Sequence, residues 1–209
     1  MDNQQAYNVW ADQYDTNSNC TRDLEAIALR DVLGKIQFSK VLEIGCGTGK
    51  NSEWLVKQSE QVTAVDFSEE MLNKAKAKVL APNIKFIQAD ITKEWSFTNE
   101  TFDLVTFSLV LEHIEDIDFI FREARTKIAD NGYLYIGELH PFKQYSGSLA
   151  RFDSNNESVE LQCFTHHVSE FLNAASVNGF TLVLLNEWFD DANKVSIPRI
   201  LTLLFKVIQ

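Results

Sequence analysis

The chain has 209 residues, 45% of them hydrophobic, and a formal net charge of −11 at pH 7. That length predicts one domain with one sizeable core, and the acidic balance disfavours nucleic acid or anionic membrane as partner and favours small neutral or cationic ligands. Cys20, Cys46 and Cys163 lack Cys-x-x-Cys spacing, no apolar run approaches the roughly 18 residues of a membrane span, and the polar start Met1 to Gln5 is no signal peptide, so the expectation is a cytoplasmic protein, monomer or homodimer, without disulfides or zinc.

Residues 3–34 carry apolar groups at helical spacing and predict two helices ahead of the first strand, with Tyr7, Trp10 and Tyr14 at i, i+3 and i+7 on one face. A first strand over 40–44 runs into Val41-Leu42-Glu43-Ile44-Gly45-Cys46-Gly47-Thr48-Gly49, where three glycines allow positive φ and let a ligand meet backbone without a Cβ in the way. A dinucleotide loop places its third glycine one residue later, in Gly-x-Gly-x-x-Gly, and receives a pyrophosphate. Here the early glycine, with the acidic Glu43 beside it, favours a nucleoside without phosphates.

A helix over 50–58 follows, then a strand over 62–65 ending at Asp66. Ser68 caps the next helix, with Glu69 and Glu70 in its first turn, and Pro82-Asn83 closes the unit. Strands over 84–88, 102–107 and 133–139, a helix over 116–129 and a turn at Asn131-Gly132 come next. Beyond them lie a polar stretch from Ser154 to Ser158 expected as an exposed loop tip, a helix over 166–178 stopped by Gly179, and strands over 180–185 and 200–207. The pattern predicts an α/β fold: a seven-stranded, mostly parallel Rossmann-like sheet with one antiparallel edge strand, helices on both faces and five βα steps. Ligands in such sheets sit beyond the carboxyl ends of the strands, where Glu43, Asp66, Asp90 and Ser108 fall.

The glycine loop, strand-end Asp66, the Ala89-Asp90 pair and residues 102–114 together resemble the class I S-adenosylmethionine-dependent methyltransferases, most nearly the small-molecule enzymes of the ubiquinone/menaquinone and biotin pathways. The likeness covers nearly the whole chain as one domain: a helical extension over 1–34, a cofactor-binding core over 40–139, an acceptor-side loop over 140–165 and a C-terminal helix with two strands over 166–209. It implies that Gly45, Cys46, Gly47 and Gly49 pass under the methionine part of S-adenosylmethionine, with Glu43 orienting the loop and the amino group. Asp66 accepts both ribose hydroxyls, since one carboxylate matches a vicinal diol. Phe67 and Met71 flank the adenine, Asp90 accepts from its amine beside the Ile91 backbone, and Ser108 and Leu109 bracket the sulfonium. For Asp90 the alternative is a plain cap of the following segment.

In the resembling enzymes an N-terminal helix with the Trp10-Ala11-Asp12-Gln13-Tyr14-Asp15 pattern folds over the cofactor as a lid, which puts Tyr14 on the cofactor and Tyr7 and Trp10 on the substrate; ordinary core packing is the alternative. Arg22 either reaches the cofactor carboxylate or is an exposed helix arginine.

Methyl transfer from a sulfonium is a direct displacement, so alignment and exclusion of water matter more than acid-base machinery. Where the nucleophile is a hydroxyl or ammonium a base helps, and His140, just after the fifth strand, is the first candidate for that catalytic role and for contact with substrate. His113, in Leu-Glu-His-Ile, either reaches substrate or packs at a helix start, and His166 and His167 either reach it or cap a helix. Tyr145, Arg151 and Phe152, in the loop after the fifth strand, fit a pocket for a partly aromatic or carboxylate-bearing acceptor, although loop packing explains them too. The segment 106–109 is not the Asn/Asp-Pro-Pro-Tyr text of amino-methylating DNA or glutamine enzymes, and no Pro-Cys nucleophile of the cytosine type is present. A nicotinamide dehydrogenase, disfavoured by the glycine spacing, and a silent cofactor-binding module are the readings from other classes.

Overall fold

The computed structural model describes residues 2–16, 18–154 and 157–207. Helices α1 (Asn3–Tyr14) and α2 (Cys20–Leu33) precede β1 (Lys40–Ile44), which is followed by α3 (Ser52–Gln58), β2 (Gln61–Asp66), α4 (Glu69–Lys78), β3 (Ile84–Gln88) and β4 (Phe102–Ser108). A 3-10 turn at Leu111–His113 and α5 (Ile117–Lys127) lead to β5 (Ile128–Leu139). After it come α6 (Pro141–Tyr145), a hairpin of β6 (Arg151–Ser154) and β7 (Glu157–Glu160), α7 (Val168–Val177), β8 (Phe180–Trp188) and β9 (Ile200–Val207).

The main sheet has the order β3-β2-β1-β4-β5-β9-β8. The first five strands are mutually parallel, and β9 pairs antiparallel with both β5 and β8. The chain reverses its direction of travel between β1 and β4, so their carboxyl ends open into a crevice, the place where such sheets take ligands. Alternate residues serve the two layers of core: Leu42 and Ile44 of β1 face Phe107, Phe121 and Phe205, while Val41 faces Leu29, Leu33 and Leu204.

The differences from sequence expectation have local causes. The antiparallel strand β9 lies one place in from the edge because its run Ile200, Leu201, Leu203, Leu204, Phe205, Val207 is buried throughout, whereas β8 exposes Leu182, Val183 and Leu185 and can form the rim. The fifth strand begins at Ile128, and Asn131-Gly132 is an irregularity inside it, with Asn131 at φ +64°, where the register against β4 shifts. There are not five βα steps: among the described residues no helix joins β3 to β4. That crossover is anchored instead by buried Trp95, whose backbone N–H donates to Glu123 (2.8 Å) and whose indole donates to the Ile91 carbonyl (3.0 Å). Of the stretch expected as a loop tip, Ser154, Glu157 and Ser158 belong to the paired strands β6 and β7, and residues 155 and 156 lie outside the described residues.

Helix α1 lies across the carboxyl ends of the strands. Gln4 donates to the Phe67 carbonyl (2.6 Å), Ser68 Oγ donates to Asn8 Oδ1 (2.7 Å), Asp12 pairs with Lys74 (2.7 Å) and Asp15 with Lys78 and with Thr48 Oγ1 (2.6 Å). Among the described residues no helix is long and apolar enough to cross a membrane.

Candidate active site

At the crevice a cleft of about 330 Å³ is lined by Gly45 and Gly47, by Asp66 and Phe67 after β2, by Asp90 and Ile91 after β3, and by Ser108 to Val110 after β4, with Tyr7 and Tyr14 of α1 as its roof. The loop after β1 is turned by two backbone bonds to the Val65 carbonyl, from Gly45 N (2.7 Å) and Cys46 N (3.0 Å). Gly45, Gly47 and Gly49 all take positive φ. A Cβ on Gly47 would meet nothing within 4 Å, so its bare face is open space in the cleft wall.

Asp66 is 7% exposed, and burial pushes its carboxyl up to about 6. Its Oδ2 accepts from Gly47 N (2.8 Å) and its Oδ1 from Ser68 N (2.9 Å). Each oxygen thus spends one lone pair on fixing the carboxylate and keeps another for a ligand. Asp90 is more open, and its Oδ1 closes a local turn by accepting from the backbone and hydroxyl of Thr92 (2.9 and 2.6 Å). No helix follows it, so the cap it makes is that turn alone.

Below the loop, Glu43 accepts from Ser52 Oγ (2.5 Å) and faces a recess of about 50 Å³ shared by Cys46, Gly47, Tyr14 and Arg22. Glu138, from β5, accepts from the backbone N–H of both Val110 and Leu111 (2.9 Å each) and so fixes the turn after β4. In that turn Leu109 stands at φ +57°, a strained position for leucine, held also by its N–H to the Gly137 carbonyl (2.8 Å).

Burial pushes Glu43 and Glu138 each up to about 8. Their carboxyl groups hold protons more tightly folded than unfolded, so this contribution to stability is full below about pH 4.5 and is lost as pH rises through about 8. Thermal unfolding at pH 6 and pH 8.5 should differ by about 5 °C or more, the higher pH being the less stable, and Glu43→Gln and Glu138→Gln should each flatten that dependence. A melting temperature flat over this interval, or equally steep in both variants, contradicts the assignment.

A second chamber of about 370 Å³ adjoins the cleft and shares Tyr7, Tyr14 and Leu109 with it. Trp10, Glu112, Leu139, Leu149 and Arg151 are among its walls. His113 lines the cleft, and its sequence neighbour Glu112 lines the chamber. The Nδ1 of His113 is 3.0 Å from the Gln162 carbonyl and therefore carries the hydrogen, which leaves Nε2 to accept from Tyr7 Oη at 2.8 Å. Burial raises the Tyr7 phenol well above its ordinary pKa, so that hydroxyl stays protonated.

Five candidate site residues lie elsewhere or face another way. His140 is 1% exposed and lines neither cavity: Nδ1 accepts from Phe142 N (3.2 Å), capping α6, and Nε2 bonds Glu187 Oε1 (3.0 Å), tying β5 to β8. With both ring nitrogens committed in the fold, it is no base for this cleft. Tyr145 is exposed and bonds His167 Nδ1 (2.5 Å) outside the chamber. Gly49 faces α4, where its absent Cβ would stand 3.1 Å from Val79 and 3.2 Å from Ala75. Cys46 touches only the recess, its side chain packed in the core. His166 bonds the Ile114 carbonyl (2.7 Å). Conversely, His113 and Glu112 face the cavities because residues 111–113 form a 3-10 turn and not the start of a helix; the Leu-Glu-His-Ile text just past a strand end was the available signal.

Residues 42–136 match the family model described as a methyltransferase domain. That segment, running from β1 into β5, is similar to methyltransferase domains. The chain is 25% identical over 224 aligned residues to an uncharacterized methyltransferase of Emericella nidulans, covering 87% of this chain and 77% of that one. It is 26% identical over 114 residues to the ubiquinone biosynthesis O-methyltransferase of Bordetella avium, covering 54% of this chain and 47% of that one, so it spans about half the length of that relative. The crystal structure of the N-methyltransferase NodS from Bradyrhizobium japonicum in complex with S-adenosyl-L-homocysteine superposes with a TM-score of 0.75 over 100% of both chains at 19% identity, a likeness of fold. The cleft itself fits S-adenosylmethionine: an open glycine wall, a fixed carboxylate with free lone pairs, and apolar Phe67, Met71 and Ile91 beside a second acid.

Proposed function

We propose that this protein transfers a methyl group from S-adenosylmethionine, held in the cleft, to a small-molecule acceptor held in the adjoining chamber. The observation that carries the reading is the convergence of the glycine loop, Asp66 and Asp90 on one cleft at the switch point of the sheet. Asp66 takes the ribose diol, Phe67, Met71 and Ile91 enclose the adenine, and Asp90 Oδ2 accepts from its amine. Gly45 and Gly47 pass beneath the methionine end, which is directed to the recess over Glu43, and Ser108 and Leu109 flank the sulfonium. When bound, that group supplies an activated methyl carbon whose bond to sulfur breaks, with its electron pair going to sulfur, as the acceptor's lone pair attacks.

The protein's own contribution is alignment and dryness. Tyr7, Tyr14 and Leu109, shared by both cavities, frame the passage between donor and acceptor, and α1 closes the roof against water. His113 Nε2, the acceptor of the Tyr7 hydrogen bond, takes the proton that the attacking group releases, either directly or through the phenol. His113→Gln should lower kcat about 100-fold while S-adenosylhomocysteine still binds, and Tyr7→Phe should lower it less. An unchanged kcat in His113→Gln removes this residue from the proton path. The function as a whole is tested by labelled-methyl transfer over a metabolite library, with mass spectrometry to place the methyl; transfer to nucleic acid or protein alone would overturn the small-molecule reading.

A further inference from the structure

The acceptor chamber carries polar groups that the fold leaves incomplete. Glu112 is 8% exposed, His113 and Gln144 flank its carboxyl, and yet Oε2 is buried with no hydrogen-bond partner among the described residues. Trp10, 6% exposed and stacked on Phe152 with centroids 5.1 Å apart, buries an indole N–H with no partner among them either. A buried donor or acceptor left unmade is expensive, on the order of 1–3 kcal/mol, and a carboxylate oxygen more. Both residues are among those that line the same chamber.

Charge at the chamber follows the same division. Of its arginines, Arg199 is locked to Asp190 (2.7 Å through one nitrogen) and to Thr21 (3.1 Å), and Arg22 donates to the Tyr14 carbonyl and lies 4.1 Å over the Tyr14 ring. Arg151 is different: it is exposed on β6, and its side chain makes no hydrogen bond or ion pair among the described residues. The protein's net charge argues for cationic or neutral ligands, but a guanidinium at the wall of a chamber outweighs a distant surface charge that solvent screens.

We propose that the chamber selects a bifunctional organic acid: its oxyanion is met by Arg151 and the Trp10 indole N–H, and its hydroxyl or amino group donates to Glu112 Oε2, beside the methyl path. The aromatic wall of Trp10, Tyr7 and Tyr14 packs the body between them. This rests on the methyl-transfer reading above and narrows it to an acceptor class. Glu112 orients the nucleophile on the chamber side by accepting its hydrogen bond, and the proton released on transfer goes on to His113, its neighbour in the same turn, which faces the donor cleft.

The test is labelled-methyl transfer by the wild-type protein to a panel of hydroxy- and amino-carboxylates, each matched to its neutral amide and to its analogue lacking the hydroxyl or amine. Acids should exceed their amides by about 10-fold or more in kcat/KM, and the analogues lacking the donor group should not react. In Arg151→Ala the preference for acid over amide should shrink to about twofold, and in Glu112→Gln the KM for the acids should rise about 10-fold, with S-adenosylhomocysteine affinity unchanged in both. A merely structural role for Arg151 would lower acids and amides alike. Amides that react as well as acids, an acid preference untouched in Arg151→Ala, or no transfer to any acid by protein that binds S-adenosylhomocysteine would each overturn the acceptor class while leaving methyl transfer in place. Protein that binds no S-adenosylhomocysteine overturns both readings.

Discussion

Replacing Asp66 by alanine is expected to weaken S-adenosylhomocysteine binding by about 100-fold or more, measured by calorimetry at pH 7.5, because two charge-assisted hydrogen bonds to a ribose diol are each worth roughly 1.5–3 kcal/mol. The geometry makes the carboxylate hard to replace: Gly47 N and Ser68 N hold one lone pair on each oxygen, so the rest point in a fixed direction into the cleft. Asp66→Asn keeps the shape but has an acceptor at only one end and should lose about 10-fold or more. Because burial pushes the Asp66 carboxyl up to about 6, wild-type affinity should fall as pH drops through that value, and this dependence should vanish in Asp66→Asn. Undiminished affinity in Asp66→Ala removes this residue from the site.

The second large effect separates two glycines of one loop. Gly45 sits at φ +71°, and a Cβ there would stand 2.2 Å from Val110 Cγ2, so Gly45→Ala meets both left-handed backbone strain and a core clash, together on the order of 2–4 kcal/mol of stability. Val110 cannot easily retreat, since its N–H is bonded to Glu138. Gly47, at φ +52°, has open space where its Cβ would go, so Gly47→Ala carries only the backbone strain of about 1–2 kcal/mol, while its new methyl group fills the cleft wall. Gly45→Ala should therefore melt several degrees below wild type without any ligand, whereas Gly47→Ala should melt closer to wild type and lose about 10-fold or more in S-adenosylhomocysteine affinity. Equal unfolding losses in the two variants would contradict this division.

Much of the frame was legible in the chain because strand ends and turn residues announce themselves. The apolar run ending in Gly45 and the acids at 66 and 90 placed three segments at one edge of the sheet, and the fold brings them to one cleft. What failed was side-chain direction at the end of an element, which no periodicity reports. His140 follows a strand end just as Asp66 closes one, yet its backbone N–H pairs with the Arg199 carbonyl beside β9 and its ring turns to β8. That contact spans 47 residues and exists only once β9 has inserted between β5 and β8. The placement of His113 and Glu112 was hidden for a related reason: adjacent residues in a 3-10 turn face different cavities, whereas the helix start expected from the sequence would have set both on its flank. The buried Glu138 illustrates a third limit, since its function is to hold two backbone N–H groups that no side-chain pattern encodes.

The central claim is that the glycine loop and Asp66 form a site for an adenosyl sulfonium donor and not for a dinucleotide. Its most direct test is calorimetric titration of the wild-type protein with S-adenosylhomocysteine and, separately, with NAD. The expected result is saturable one-to-one binding of S-adenosylhomocysteine and none of NAD; binding of NAD with no binding of S-adenosylhomocysteine would contradict the account.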